Sequence, residues 1–238
     1  MSNYEVHEYR GNYRWRQKQA NRDGCVAYVE HHFNASINQA ANYTLVITGY
    51  RASETSKNWG RDYAKLVSQA FGTELGGVDG LLVGGFSGRG TGSIKYTAMP
   101  AILLEPLFVS NPEQAELVQS EAGQDKLAQC LVDSIRTTFP RGGKIGFSVG
   151  HKYKISSPND RGAAVYGGGT EAYFAEVVLK KAKFMLEEKS SDELWDDLHK
   201  HVIQKEANTA KLLKIEWLVR KHMKVLDGLF AERARILL

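Results

Sequence analysis

Short apolar runs recur along the chain, each too short for a helix and each followed by a polar turn or a stretch with helical spacing. They are Tyr4–Tyr9, which alternates, then Cys25–Val29, Tyr43–Gly49, Ala101–Leu104 and 143–149. Runs of this length and composition are predicted strands. Between them, residues 12–22 are basic and helix-compatible. Residues 56–73 carry Trp59, Tyr63, Leu66, Val67, Ala70 and Phe71 at helical spacing. Ser110-Asn111-Pro112-Glu113 has the form of a helix start, with proline in the first turn. Further helices are expected over 123–138 and 171–187. Strands alternating with helices imply a layered α/β fold. The glycine-rich stretch 74–99 is expected to hold strand fragments and flexible loops.

From Ser190 the character changes. There is no strand pattern, and Leu194, Leu198, Val202, Leu212, Ile215, Val219 and Leu226 recur as in one long helix or a hairpin broken at Asn208-Thr209. The sequence therefore divides into 1–189 and a C-terminal helical segment, 190–238. That segment carries nine Lys and Arg against eight Asp and Glu. Near-neutral charge favours a helical element that packs on the first domain or pairs in a homo-oligomer. The rival reading is wall or outer-membrane contact through Lys211, Lys214, Arg220, Lys221 and Lys224.

The chain is long enough to bury a core without staples, and Cys25 and Cys130 sit apart in apolar stretches, as small core residues do. A net charge of +4 suits an anionic partner without demanding one. The opening MSNYEVHEYRGNYRWRQ lacks an apolar signal region, and no apolar run approaches membrane-spanning length. The expectation is synthesis in the cytoplasm and no transmembrane segment. GGFSGRGTGSIK, 84–95, lacks the Gly-Lys-Ser/Thr ending of a phosphate loop and is expected to be a mobile loop beside a substrate groove. No nucleic-acid partner is expected.

Seven histidines are present, of which His7, His199, His201 and His222 lie in a strand or in the helical tail and read as ordinary surface or partly buried residues. His151, in KIGFSVGHKYK, follows a strand and a glycine. His32 also follows a strand, with His31 competing for the same role, since adjacent strand residues face opposite ways. Strand ends are where ligands bind in α/β sheets. Glu105 ends the most apolar strand and, if buried, is expected to need a partner. Glu171 opens a helix after Gly167-Gly168-Gly169-Thr170, where capping alone would explain it. Glu30 precedes the histidine pair and is expected to face away. Two histidines and a glutamate with an open position form a catalytic zinc set, and a further carboxylate would serve as base and acid.

These segments resemble the zinc-dependent N-acetylmuramoyl-L-alanine amidases of the type-3 class, in a different order. GFSVGHKYK with NDRGA is similar to that family's opening Gly-His turn. GGGTEAYFAEVVLKKAKFMLEE is similar to its Glu-bearing first helix, and YEVHEYR to its second strand. Arg16-Gln17-Lys18-Gln19-Ala20-Asn21 matches its Arg-x-x-x-Ala-Asn helix, and VEHHFNAS its histidine strand. MPAILLEPLFVSNPEQAELV resembles its catalytic-glutamate strand, and DKLAQCLVDSIRTTF its closing helix. The resemblance covers roughly residues 3–188. It departs where Glu30 stands at a usually small or polar position and where Pro106-Leu107-Phe108 follows Glu105.

The resemblance implies a three-layer α/β/α domain with a central mixed sheet, circularly permuted, its ordinary end joined to its ordinary beginning through Pro140–Gly143. It implies Zn2+ held by His32, His151 and Glu171, with Glu105 as catalytic base and acid. It implies hydrolysis of the amide between N-acetylmuramic acid and L-alanine in peptidoglycan. With no leader expected, a phage-type endolysin, released by a holin or carried on a virion, fits better than a secreted autolysin. The rival classes are a non-catalytic peptidoglycan-binding protein and a virion-associated structural protein.

Overall fold

The computed structural model describes residues 3–88 and 90–187, within a unit that spans Ser2–Glu188. The helices expected over 190–238, with their pairing or wall contact, lie outside the described residues, as do His199, His201 and His222.

The described residues interleave strands and helices. The strands are β1 (Tyr4–Glu8), β2 (Ala27–His31), β3 (Tyr43–Thr48), β4 (Glu74–Leu75), β5 (Leu81–Val83), β6 (Ala101–Glu105) and β7 (Gly143–Val149). The helices are α1 (Tyr13–Arg22), α2 (Glu54–Phe71), α3 (Pro112–Gln119), α4 (Glu121–Thr138) and α5 (Glu171–Glu187). Helix starts follow local chemistry: the side chains of Ser53, Asn111 and Ser120 accept bonds from the backbone N–H groups of Ser56, Gln114 and Gly123. The left-handed Gly72 ends α2.

The strands form one mixed sheet in the order β1-β7-β2-β6-β3-β4, with β5 also paired to β3. β1, β7, β2 and β6 run parallel, and β3 meets β6 antiparallel. One sheet face, through Val29, Val46, Ile102, Leu104 and Phe147, packs on Trp59 of α2, Leu131 of α4 and Val178 of α5. The other, through Tyr28, Leu45, Ile47 and Leu103, packs on Ala20 of α1 and on Ile94. Helices thus cover both faces in three layers. Covered strands carry near-continuous apolar runs, as observed in β3 and β6.

Two expectations shift. β2 lies two residues further along than the run Cys25–Val29, because Glu30 and His31 are buried inside it. The loop expected to be free over 84–95 is pinned at its far end. Gln17 donates to Gly92 O (2.8 Å) and accepts from Tyr96 N (2.7 Å), and Asn21 accepts from Ala98 N (2.8 Å).

Ile102 sits in the central strand β6 with no exposure. Ile102→Ala is expected to lower the unfolding free energy by about 2–5 kcal/mol, read from urea midpoints at constant slope.

Candidate metal centre

Three parallel neighbours end at one level. His31 pairs in register with Val149 of β7 and Leu104 of β6. Gly150 N donates to His31 O and His32 N to Leu104 O, each at 2.9 Å. Just beyond this level come His32, Glu105 and, after Gly150, His151, at the carboxyl edge where α/β sheets bind ligands. Glu171 arrives from the first turn of α5.

The structure brings His32, His151 and Glu171 together, with one donor atom from each lying within 4.8 Å of the others. Glu171 Oε1 is 3.0 Å from His32 Nδ1 and 3.3 Å from His151 Nε2. Its Oε2 accepts from Ala163 N at 2.9 Å. The two rings meet edge to face, 4.9 Å apart. Behind His151, Nδ1 contacts Asp160 at 2.9 Å, and Asp160 is in turn held by Gly162 N and Lys154. A carboxylate on the far nitrogen of a ligating histidine fixes the ring's tautomer and aim. The role of Asp160 is not apparent from sequence spacing, although the residue lies within the NDRGA segment.

Burial works to raise the Glu171 carboxyl, but the contacts to His151 and His32 hold it well below the usual range. Burial lowers His32, and the carboxylates of Glu171 and Glu30 more than reverse this, so His32 stays protonated to a higher pH than a free histidine. Asp160 is likewise held low: Lys154, Gly162 N and His151 outweigh its burial. A carboxylate between two basic imidazoles is a charge arrangement that a divalent cation can take over, displacing a proton. Two histidines and one glutamate suit zinc.

Close approach explains two glycines. A Cβ on Gly150 would lie 2.3 Å from His32 Cε1, and one on Gly162 would lie 2.3 Å from Glu171 Oε2. The turn between them is strained: His151 and Tyr153 have φ of 60° and 66°. Such residues cost on the order of 1–3 kcal/mol each and persist where the surroundings fix them. Here Arg16, with no exposure, donates to Ser148 Oγ and Val149 O (both 2.7 Å) and to Lys152 O. His151 N donates to Tyr13 Oη at 3.0 Å.

The remaining carboxylates correct two expectations. Glu105 was expected to have a partner, yet its buried Oε2 has no hydrogen bond among the described residues. Burial instead pushes its pKa up to about 7, with His32 and His151 pulling down and Glu171 pushing up. Glu105 is thus close enough to all three for their charges to act on it. Glu30 was expected to face away, but strand alternation puts it on the same face as His32, and its Oε1 lies 3.5 Å from His32 Nε2. His31 points to the opposite face, against Phe33, where burial and the nearby His32 lower its pKa to about 3. His7 is partly exposed and pairs with Glu5.

Residues 4–137 match the family model for N-acetylmuramoyl-L-alanine amidases, more than half of the chain. The chain belongs to this amidase family. Among solved structures it is similar to the catalytic domain of CwlV, an N-acetylmuramoyl-L-alanine amidase from Bacillus (Paenibacillus) polymyxa var. colistinus, at 27% identity and a TM-score of 0.46, covering 54% of this chain and 66% of that one. It is also similar to an N-acetylmuramoyl-L-alanine amidase from Clostridium difficile 630, at 23% identity and TM-score 0.44, covering 54% and 66%. A third is a protein from Neisseria meningitidis described as such an amidase, at 21% and 0.42, covering 54% and 65%. The chain thus spans just under two thirds of each of these structures. No curated protein matches it.

Zinc affinity is expected to rise with pH, because the proton on His32 must leave first. Calorimetry in buffers of different ionisation heat should register proton release on binding. Glu171→Ala should weaken binding by more than the ~10–100-fold typical of an outer-shell change.

Proposed function

We propose that this chain is a zinc-dependent amidase that cleaves the bond between the lactyl group of N-acetylmuramic acid and L-alanine in peptidoglycan. The observation that carries the reading is the convergence of His32, His151 and Glu171 near the partly buried carboxyl of Glu105. Family membership supplies the bond type. The donor set suits zinc, and Glu171, ionised and nearly buried, gives the site the negative charge a cation requires.

His32, His151 and Glu171 would hold the ion. Zinc supplies electrophilic polarisation of the amide carbonyl and lowers the pKa of a water. Glu105 accepts the proton of the attacking water and passes it to the amide nitrogen as the carbon–nitrogen bond breaks, leaving a lactyl carboxylate and a free alanine amine. A carboxyl with a pKa near 7 is suited to both transfers.

The reading includes circular permutation. Two features support it: the match to the family ends at residue 137 while His151 and Glu171 lie beyond it, and β7, the last strand among the described residues, lies between β1 and β2. The joint is short, with Gly143 N donating to Asn3 O and Tyr4 Oη to Phe139 O. The other ends also meet, since Val6 N donates to Glu187 Oε1 at 2.8 Å. The cellular setting we propose is that of a phage-type lysin, released by a holin or carried on a virion. No helix among the described residues is long and apolar enough to cross a membrane. Finding the chain in purified virions would favour the second route.

Purified peptidoglycan digested with and without a zinc chelator tests the reading. New alanine amines that vanish with chelator, without new reducing ends, are the expected result. New reducing ends would refute it, and bound zinc with no products would favour a binding role. Glu105→Ala should keep its metal and lose turnover by about 10²–10⁴-fold or more; near-normal turnover would remove Glu105 from the chemistry.

A further inference from the structure

Glu30 is a further carboxylate at the centre, beside Glu171, Glu105 and Asp160, and it has no role in the reaction described above. It lies in β2 with no exposure, and neither of its oxygens has a hydrogen bond among the described residues. Its neighbours are His32 Nε2 at 3.5 Å and Arg16 Nη1 at 3.7 Å. The Arg16 donors are committed elsewhere, with Nε on Gly11 O, Nη1 on Ser148 Oγ and Val149 O, and Nη2 on Lys152 O. Arg16 therefore offsets the charge of Glu30 without satisfying its oxygens. A buried carboxylate left so is expensive.

The facing group is the His32 ring. Its Nδ1 points to Glu171 and so toward His151 Nε2; its Nε2 points to Glu30. The ring packs closely on Gly150, where a Cβ would lie 2.3 Å from Cε1 and 2.5 Å from each nitrogen. If Nδ1 serves the metal, Nε2 must carry the proton, and Glu30 is the acceptor in front of it.

We propose that Glu30 is a positioning residue for metal binding: it accepts the Nε2 proton of His32 and so presents Nδ1 to the ion, while Arg16 balances its charge. His32 and His151 would then each have a carboxylate behind them, Glu30 from the strand and Asp160 from the loop. Such outer partners typically contribute about 10–100-fold in metal affinity. This inference rests on the zinc reading of the site.

The test reads zinc and the histidine ring rather than wall lysis. In ¹⁵N-labelled, zinc-loaded protein, long-range proton–nitrogen correlation should show His32 protonated at Nε2 and ligating through Nδ1. The reverse tautomer would overturn the proposal, and this measurement needs no variant. By chelator competition, folded Glu30→Gln should bind zinc about 10–100-fold more weakly than the unaltered chain. Unchanged affinity in that variant would make Glu30 a partner of Arg16 alone and overturn the proposal. A wild-type chain that binds no zinc would remove the metal reading itself, a different failure from the other two.

Discussion

The buried Arg16 guanidinium is the contact on which the centre depends. It reaches from α1 to the end of β7 and caps three carbonyl groups, at Gly11, Val149 and Lys152. Its bonds hold the turn in which His151 and Tyr153 take up a left-handed backbone. Without that clamp His151 would relax to an ordinary conformation and leave Glu171. A lysine could not substitute, because only a planar fork can serve four acceptors in fixed directions.

Around this clamp, the same residue type is shifted in opposite directions by its surroundings. Glu171 stays ionised because two imidazoles and two backbone N–H groups, from Ala163 and Phe33, face it. Glu105 is tuned toward neutrality because burial dominates and its Oε2 lacks a donor. One group is suited to hold a cation permanently, the other to take up and release a proton. Sequence position cannot produce this difference, since each is simply a glutamate at the end of a regular element.

How much was legible follows from range. β3, β6, β7 and the long helices have strong local periodicity, and their expected and observed limits nearly coincide. β4 and β5 are two and three residues long within glycine-rich sequence, too short for periodicity to register. The end of β2 was obscured by Glu30 and His31, residues that look like surface ones until tertiary contacts bury them. Glu105, His32, His151 and Glu171 could be singled out at strand and helix ends, but their grouping came from resemblance. The burial of Arg16 and the orientation of Glu30 depend on partners more than a hundred residues away or on a neighbouring layer, and no local pattern encodes them.

The position of β7 has a consequence for synthesis. While the ribosome is still making the first 140 residues, β1 and β2 have no strand to bridge them, and the sheet has a gap one strand wide, with unpaired backbone on both sides. His32 emerges on the order of ten seconds before His151 at ordinary translation rates of about 5–20 residues per second. Until then the nascent chain has only one of the three candidate ligands, His32, and an incomplete sheet. The order of the segments therefore sets an order of assembly: the three candidate ligands can meet only once residue 171 has been made.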